Sequence, residues 1–182
     1  MENKVIKDKL DAFELPAYEE IPDVGLYLEQ VSRYVNGPLE EFPEMKVTPS
    51  MISNYAKAKL FSRVNKKTYS REQIAIVFFI TIAKSVLSIE YVRTALVLFR
   101  SKNYSIQKGY EYFRRELQYA VSVFYEPSEA KKASASLTED EKMLKNVCTA
   151  IAHKMYLERY FETLQNTLPP ETPSKHKKNE KK

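Results

Sequence analysis

A chain of 182 residues with 43% hydrophobic and 29% charged residues suits one domain with room for an appended helical piece. Three glycines and a single cysteine argue against a glycine-rich phosphate loop or a turn-rich β fold, and they exclude an internal disulfide and a one-chain thiolate zinc cluster. The longest apolar run, residues 74–83 broken only by Thr81, falls short of the roughly 18 residues needed to span a bilayer, so a soluble, reducing, cytoplasmic setting is expected.

The net charge of +5 conceals a segregation along the chain. Residues 1–45 carry four basic and eleven acidic groups, whereas residues 46–71 carry seven basic groups and no acidic one. Residues 72–174 are nearly balanced, and the 175–182 tail is basic again. A cluster of one sign creates a local field that attracts a polyanion, unless the acidic head and basic middle neutralise each other in the fold.

In chain order, Ile6, Leu10 and Phe13 give residues 2–15 one apolar helical face, ended by Leu15-Pro16. After an acidic link, Pro22-Asp23 opens a second predicted helix through Leu26, Val31 or Gln30, and Tyr34, closed at Asn36-Gly37-Pro38. A connector, 39–47, leads to Thr48-Pro49, a hydroxyl N-cap followed by proline at the first helical position. The helix predicted from Pro49 to about Lys59 is two-faced. At 100° per residue, Ser50, Ser53, Asn54 and Lys57 share one side, and Met51, Ile52, Tyr55 and Ala56 the other. Small hydroxyls, an amide and an ammonium reach base edges and phosphates without bulk. The same spacing serves any surface helix, so its direction comes from the basic segment beside it. There, residues 61–69 contain a plausible turn at Asn65-Lys66-Lys67-Thr68 and are expected to form a small two-stranded wing. Arg63, Lys66 and Lys67 would sit at its tip, and together with Arg71 they would meet phosphates.

Ser70 and Gln73 form a capping box that opens the most apolar helix, predicted over 71–87. Ser88 restarts the chain as a helix over 89–100, with Ile89, Val92, Leu96 and Phe99 inward. The succession VTPSMISNYAKAKL, a basic wing, then TYSREQIAIVFFITIAKSVLSIEYVRTAL resembles the DNA-binding head of MerR-type regulators. Thr48 falls at the cap, Tyr55 at the helix tyrosine, Leu60 at the helix end, Tyr69 at the aromatic closing the wing, and Ser88-Ile89 at the final turn. Ser53 and Asn54 stand where MerR-type helices carry an arginine and the first of two tyrosines. FELPAYEEIPDVGLYLEQV, TPSMISNYAKAKL and KKTYSREQIA together resemble a Gram-positive bacterial family labelled only as a domain of unknown function, whose members are described with such a head. The resemblance covers about residues 13–100.

Beyond it, Ser105 caps a helix in which Ile106, Tyr110, Phe113, Leu117, Ala120 and Phe124 recur at spacings 4-3-4-3-4, a short heptad seam. A polar link, 127–137, precedes a Thr138/Glu141 capping box and a last helix. That helix has two apolar stripes: Leu144, Val147, Cys148, Ile151 and Met155, then Leu157, Tyr160, Phe161, Leu164 and Leu168. A bend near residue 156, or a second packing partner, would account for both.

Catalytic chemistry is sparse. Cys148 and His153 are five apart, about 140° around a helix, and do not form a thiolate–imidazole pair; His176 lies in the tail. A non-enzymatic protein without cofactor or metal is expected. The fold predicted is mainly α, a MerR-like winged helix-turn-helix head at 20–100 after an N-terminal helix and acidic link at 1–19. A long helical hairpin follows at 101–168, for dimerisation or effector sensing, and 169–182 is a disordered basic tail. The predicted function is DNA-binding transcriptional regulation. Double-stranded DNA is the expected partner, a homodimer through helices 105–125 and 138–168 is possible on this pattern, and no effector is identifiable. The alternative is a protein–protein adaptor whose basic face binds an acidic partner such as residues 1–45. Lys66, Lys67 or Arg63 engaged by Glu19, Glu20 or Glu41 would mark it. A third class is a small-molecule binder using Tyr104, Tyr110, Tyr112, Tyr119 and Tyr125, signalled by a pocket among Tyr110, Phe113 and Tyr119.

Overall fold

Hydroxyl side chains open the helices where the sequence places them. In a computed structural model that describes residues 2–62, 67–123 and 137–167, Thr48 Oγ1 accepts the Met51 N–H at 3.2 Å and Ser70 Oγ that of Gln73 at 3.4 Å. Ser88, Ser105 and Thr138 accept from Tyr91, Lys108 and Glu141, each at 3.3 Å. Each bond satisfies one of the orphan donors at a helix start.

The elements run α1 (Glu2–Asp11), β1 (Leu26–Tyr27), α2 (Leu28–Asn36), α3 (Pro49–Lys57), β2 (Thr68–Tyr69), α4 (Arg71–Ala83), α5 (Ile89–Ser101), α6 (Ile106–Ser122) and α7 (Glu139–Thr167). Single 3₁₀ turns lie at Tyr18–Glu20, Gly37–Leu39 and Pro43–Met45. The chain is mainly helical, and no described helix is long and apolar enough to cross a membrane.

The second helix starts later than the Pro22-Asp23 signal predicts. Leu26 and Tyr27 leave the helical path and pair antiparallel with β2, Leu26 opposite Tyr69 and Tyr27 opposite Thr68. Gly25 makes the turn at φ 71°, and a Cβ there would lie 3.2 Å from Thr68 Oγ1. The backbone angle calls for glycine, and a side chain there would also crowd Thr68. The partner of β2 is thus a distant strand rather than the start of the 61–69 segment. The tip of the expected wing, residues 63–66, lies outside the described residues.

α4 is apolar on all sides because it is packed by α2, α6 and α7, as a fully enclosed helix must be. Phe78 meets Tyr34 at 5.9 Å and Tyr110 at 6.1 Å, and Phe79 meets Phe113 edge-on at 5.2 Å. Its helical span ends at Ala83, four residues before the predicted end. α6 and α7 pack on each other. Tyr110, Phe113, Leu117 and Val121 from one seam, and Val147, Cys148, Ile151 and Met155 from the other, are all buried. Ala120 is partly buried against this core, Val121 beside it is buried, and Phe124 is outside the described residues.

α7 runs as one helix of 29 residues through residue 156. Of its second stripe, Leu157, Tyr160 and Phe161 face outward, 49%, 39% and 53% exposed; Leu164 is half-buried, and Leu168 lies outside the described residues. The side of that half packed on the molecule carries Arg159, only 4% exposed. Its guanidinium binds Glu44 and Glu162, each at 2.9 Å, and lies 5.1 Å over the Phe42 ring. Lys9 of α1 shares Glu162 at 3.1 Å. A charged group with this many partners can tolerate burial that an unpaired one could not.

Candidate nucleic-acid interface

α3 has a buried side and an exposed side. Its inner side buries Ile52 and Tyr55. The Tyr55 hydroxyl is enclosed and makes no hydrogen bond among the described residues, and burial pushes its pKa up to about 12. The Lys84 ammonium lies 6.0 Å from the same ring and is itself lowered from the usual lysine range by burial.

Polar side chains fix the angle between α2 and α3 despite the long connection. Asn36 donates its amide to the Val47 carbonyl and accepts the Val47 N–H, both at 2.8 Å. Ser32 adds a second donor to the same carbonyl at 2.9 Å. The amide of one side chain thereby mimics a strand pairing, and Val47 is itself buried.

The end of α3 is held as firmly. The Leu60 N–H reaches the Tyr55 carbonyl at 3.1 Å and the Lys59 N–H that of Ala56 at 3.0 Å, the two bonds of a Schellman motif. Lys59 occupies the left-handed position, φ 57°, where glycine is ordinarily found. Two arginines of α5 complete the closure: Arg93 donates to the Ala58 carbonyl at 2.6 Å, and Arg100 donates to that of Leu60. Gln73, nearly buried, then ties the two ends of the basic connection together. It accepts the Ser70 N–H at 2.9 Å and donates to the Ser62 carbonyl.

Of the sequence-predicted site residues, Ser50, Asn54 and Lys57 are exposed along the outer side of α3, and Ser53 is half-buried there. Lys67, before β2, is exposed. Arg63 and Lys66 fall outside the described residues. Arg71 points elsewhere. Its guanidinium binds Glu19 at 2.7 Å, donates to the Ile21 carbonyl at 2.7 Å and lies 5.7 Å from the centre of the Tyr18 ring. Gln107 of α6 holds the other oxygen of Glu19 at 2.9 Å. This arginine is thus committed to the acidic N-terminal segment.

Two groups counted or passed over in the sequence stand beside α3. Lys46 and Lys59 flank α3, are exposed, and like Lys57 make no ion pair among the described residues. Arg93 and Arg100, which brace the helix end, had one available signal. They are seven residues apart and so fall on one stripe of α5.

The described residues contain no group of three or more His, Cys, Asp or Glu placed to hold a metal. Cys148 is buried against α6, and burial raises its thiol pKa well above the usual cysteine range, with nearby Glu116 adding to the shift. A thiol kept protonated is a poor nucleophile.

A family model described as a domain of unknown function, DUF1836, matches residues 16–113, from just before the first 3₁₀ turn to the middle of α6. No curated protein and no solved structure matches the chain.

Proposed function

The chain belongs to the DUF1836 family, and we propose that it is a DNA-binding transcriptional regulator, with α3 as the reading helix of a MerR-like winged head and the α6–α7 hairpin as a dimerisation or effector region. One observation carries the reading: a short helix, braced at both ends by side-chain-to-backbone bonds, presents Ser50, Asn54 and Lys57 outward between Lys46 and Lys59. Hydroxyl, amide and ammonium groups on a fixed scaffold can read base edges while cations take phosphates. The outward stripe of Leu157, Tyr160 and Phe161 supports the dimer, since a second copy would cover it.

The test is a gel shift of the full chain on duplex DNA from its own promoter, across a salt series. If five phosphates are neutralised, log affinity falls against log salt with a slope of about −4.5. Lys57→Glu with Lys67→Glu makes the slope shallower by about 2. Asn54→Ala relaxes discrimination at one base pair and leaves the slope unchanged. No affinity for duplex DNA, or an affinity indifferent to salt, removes the reading. A second reading, the protein–protein adaptor with an acidic partner, draws on the Arg71–Glu19 pair, in which the acidic segment already takes one arginine of the basic stretch.

A further inference from the structure

A cavity of about 650 Å³, open on one side, lies where α4, α5, α6 and the start of α7 meet. Its size falls in the range of roughly 300–1,000 Å³ that small-molecule sites occupy. Its walls are almost wholly apolar, formed by Ile76 and Phe79 of α4, Leu96 and Phe99 of α5, Phe113 of α6 and Leu144 of α7. The Phe99 ring is pressed onto Gly109, where an added Cβ would lie 2.2 Å from the ring. α5 and α6 therefore cross closely at this wall, and no side chain from Gly109 fills the space beside it.

The charges at the mouth are unequally satisfied. Glu111 accepts the Tyr18 N–H at 2.6 Å and pairs with Arg114 at 3.1 Å, and Asp140 is paired with Lys102. Glu141 accepts both the N–H and the hydroxyl of Thr138 at 2.8 Å, at the positive end of the α7 dipole. Lys108 and Arg115, by contrast, are exposed and make no ion pair among the described residues. Seven residues apart on α6, they share one side of the helix about 10 Å along its axis. Three carboxylates with partners and two cations without one leave a mouth complementary to an anion.

We propose that this cavity binds an amphipathic carboxylate, its hydrocarbon or aromatic body against Phe79, Phe99 and Phe113 and its anionic end beside Lys108 and Arg115. The site is a different surface from the outer side of α3 and is read without nucleic acid. α5 belongs to both: it supplies Leu96 and Phe99 to the cavity, and Arg93 and Arg100 to the end of α3.

The experiment is calorimetric titration of the full chain with sodium dodecanoate below its micelle concentration, beside dodecyltrimethylammonium as the cationic counterpart. Saturable one-to-one binding of dodecanoate is expected, with the cationic amphiphile at least tenfold weaker. Lys108→Glu with Arg115→Glu, both at exposed positions, should weaken dodecanoate about tenfold or more. Leu98→Trp, at the exposed edge of the cavity, should block it while leaving the circular dichroism melt intact. Absence of saturable binding, equal binding of the cationic amphiphile, or indifference to the charge reversal overturns the proposal. Dimerisation that Leu98→Trp abolishes, without dodecanoate binding, overturns it too, by making the groove a contact between copies.

Discussion

The head around α3 and the hairpin of α6 and α7 share one apolar core but are oriented by different physics. The hairpin buries aromatic and aliphatic side chains against each other, and such contact is strong but non-directional. The head positions a nine-residue helix largely through side chains bonded to backbone: Asn36 and Ser32 on Val47, Arg93 on Ala58, Arg100 on Leu60, Gln73 on Ser62. Those bonds add only about 1 kcal/mol each in net stability, but they specify an orientation. Apolar contact gives the molecule its resistance to unfolding. Directional polar contact decides what its surface presents.

Substitutions can separate the two. The largest expected effect is in the hairpin. Phe113→Ala removes a ring that is 1% exposed and should lower unfolding stability by about 3–5 kcal/mol, read as a shift of the urea midpoint with little change in slope. Next is Asn36→Ala, which strands the buried Val47 N–H and should cost about 2 kcal/mol. Hydrogen exchange should speed up around Val47 and α3 and stay unchanged in α7. Equal acceleration in both regions would show that the head and hairpin are one cooperative unit and end the contrast. The smallest effect has the opposite sign. Lys59→Gly relieves a left-handed lysine and should raise stability by up to about 1 kcal/mol. It should also make the salt dependence of DNA binding shallower by about 0.9 if Lys59 meets a phosphate. Loss of stability at this position would contradict the strain assigned to it.

What was legible in the sequence was local. Thr48, Ser70, Ser88, Ser105 and Thr138 each mark a helix start within three residues of the N–H they accept, and the seams of α6 and α7 are carried by their own spacing. The two faces of α3 follow from its periodicity in the same way. Hidden were contacts that join distant residues. The pairing of Leu26–Tyr27 with Thr68–Tyr69 overrode a helix start that Pro22-Asp23 signalled well, and it moved the partner of β2 out of the segment where a hairpin was expected. The commitment of Arg71 to Glu19 is a contact across 52 residues, so counting Arg71 within the basic stretch could not reveal it. The outward stripe of α7 was visible as a stripe, but its exposure depends on Arg159 taking the inward side.

The small β1–β2 sheet has a consequence for the basic connection between α3 and β2. Leu26 and Tyr69 are partners 43 positions apart, so their pairing closes a ring of chain that contains α2, α3 and that connection. The length-dependent part of closing such a ring is roughly 3 kcal/mol, but it grows only with the logarithm of the length. Four residues added to the connection would raise it by less than about 0.1 kcal/mol. The length of the basic connection is therefore almost decoupled from the stability of the ring that carries it, and it can change while Asn36, Gln73 and the two arginines keep α3 in place.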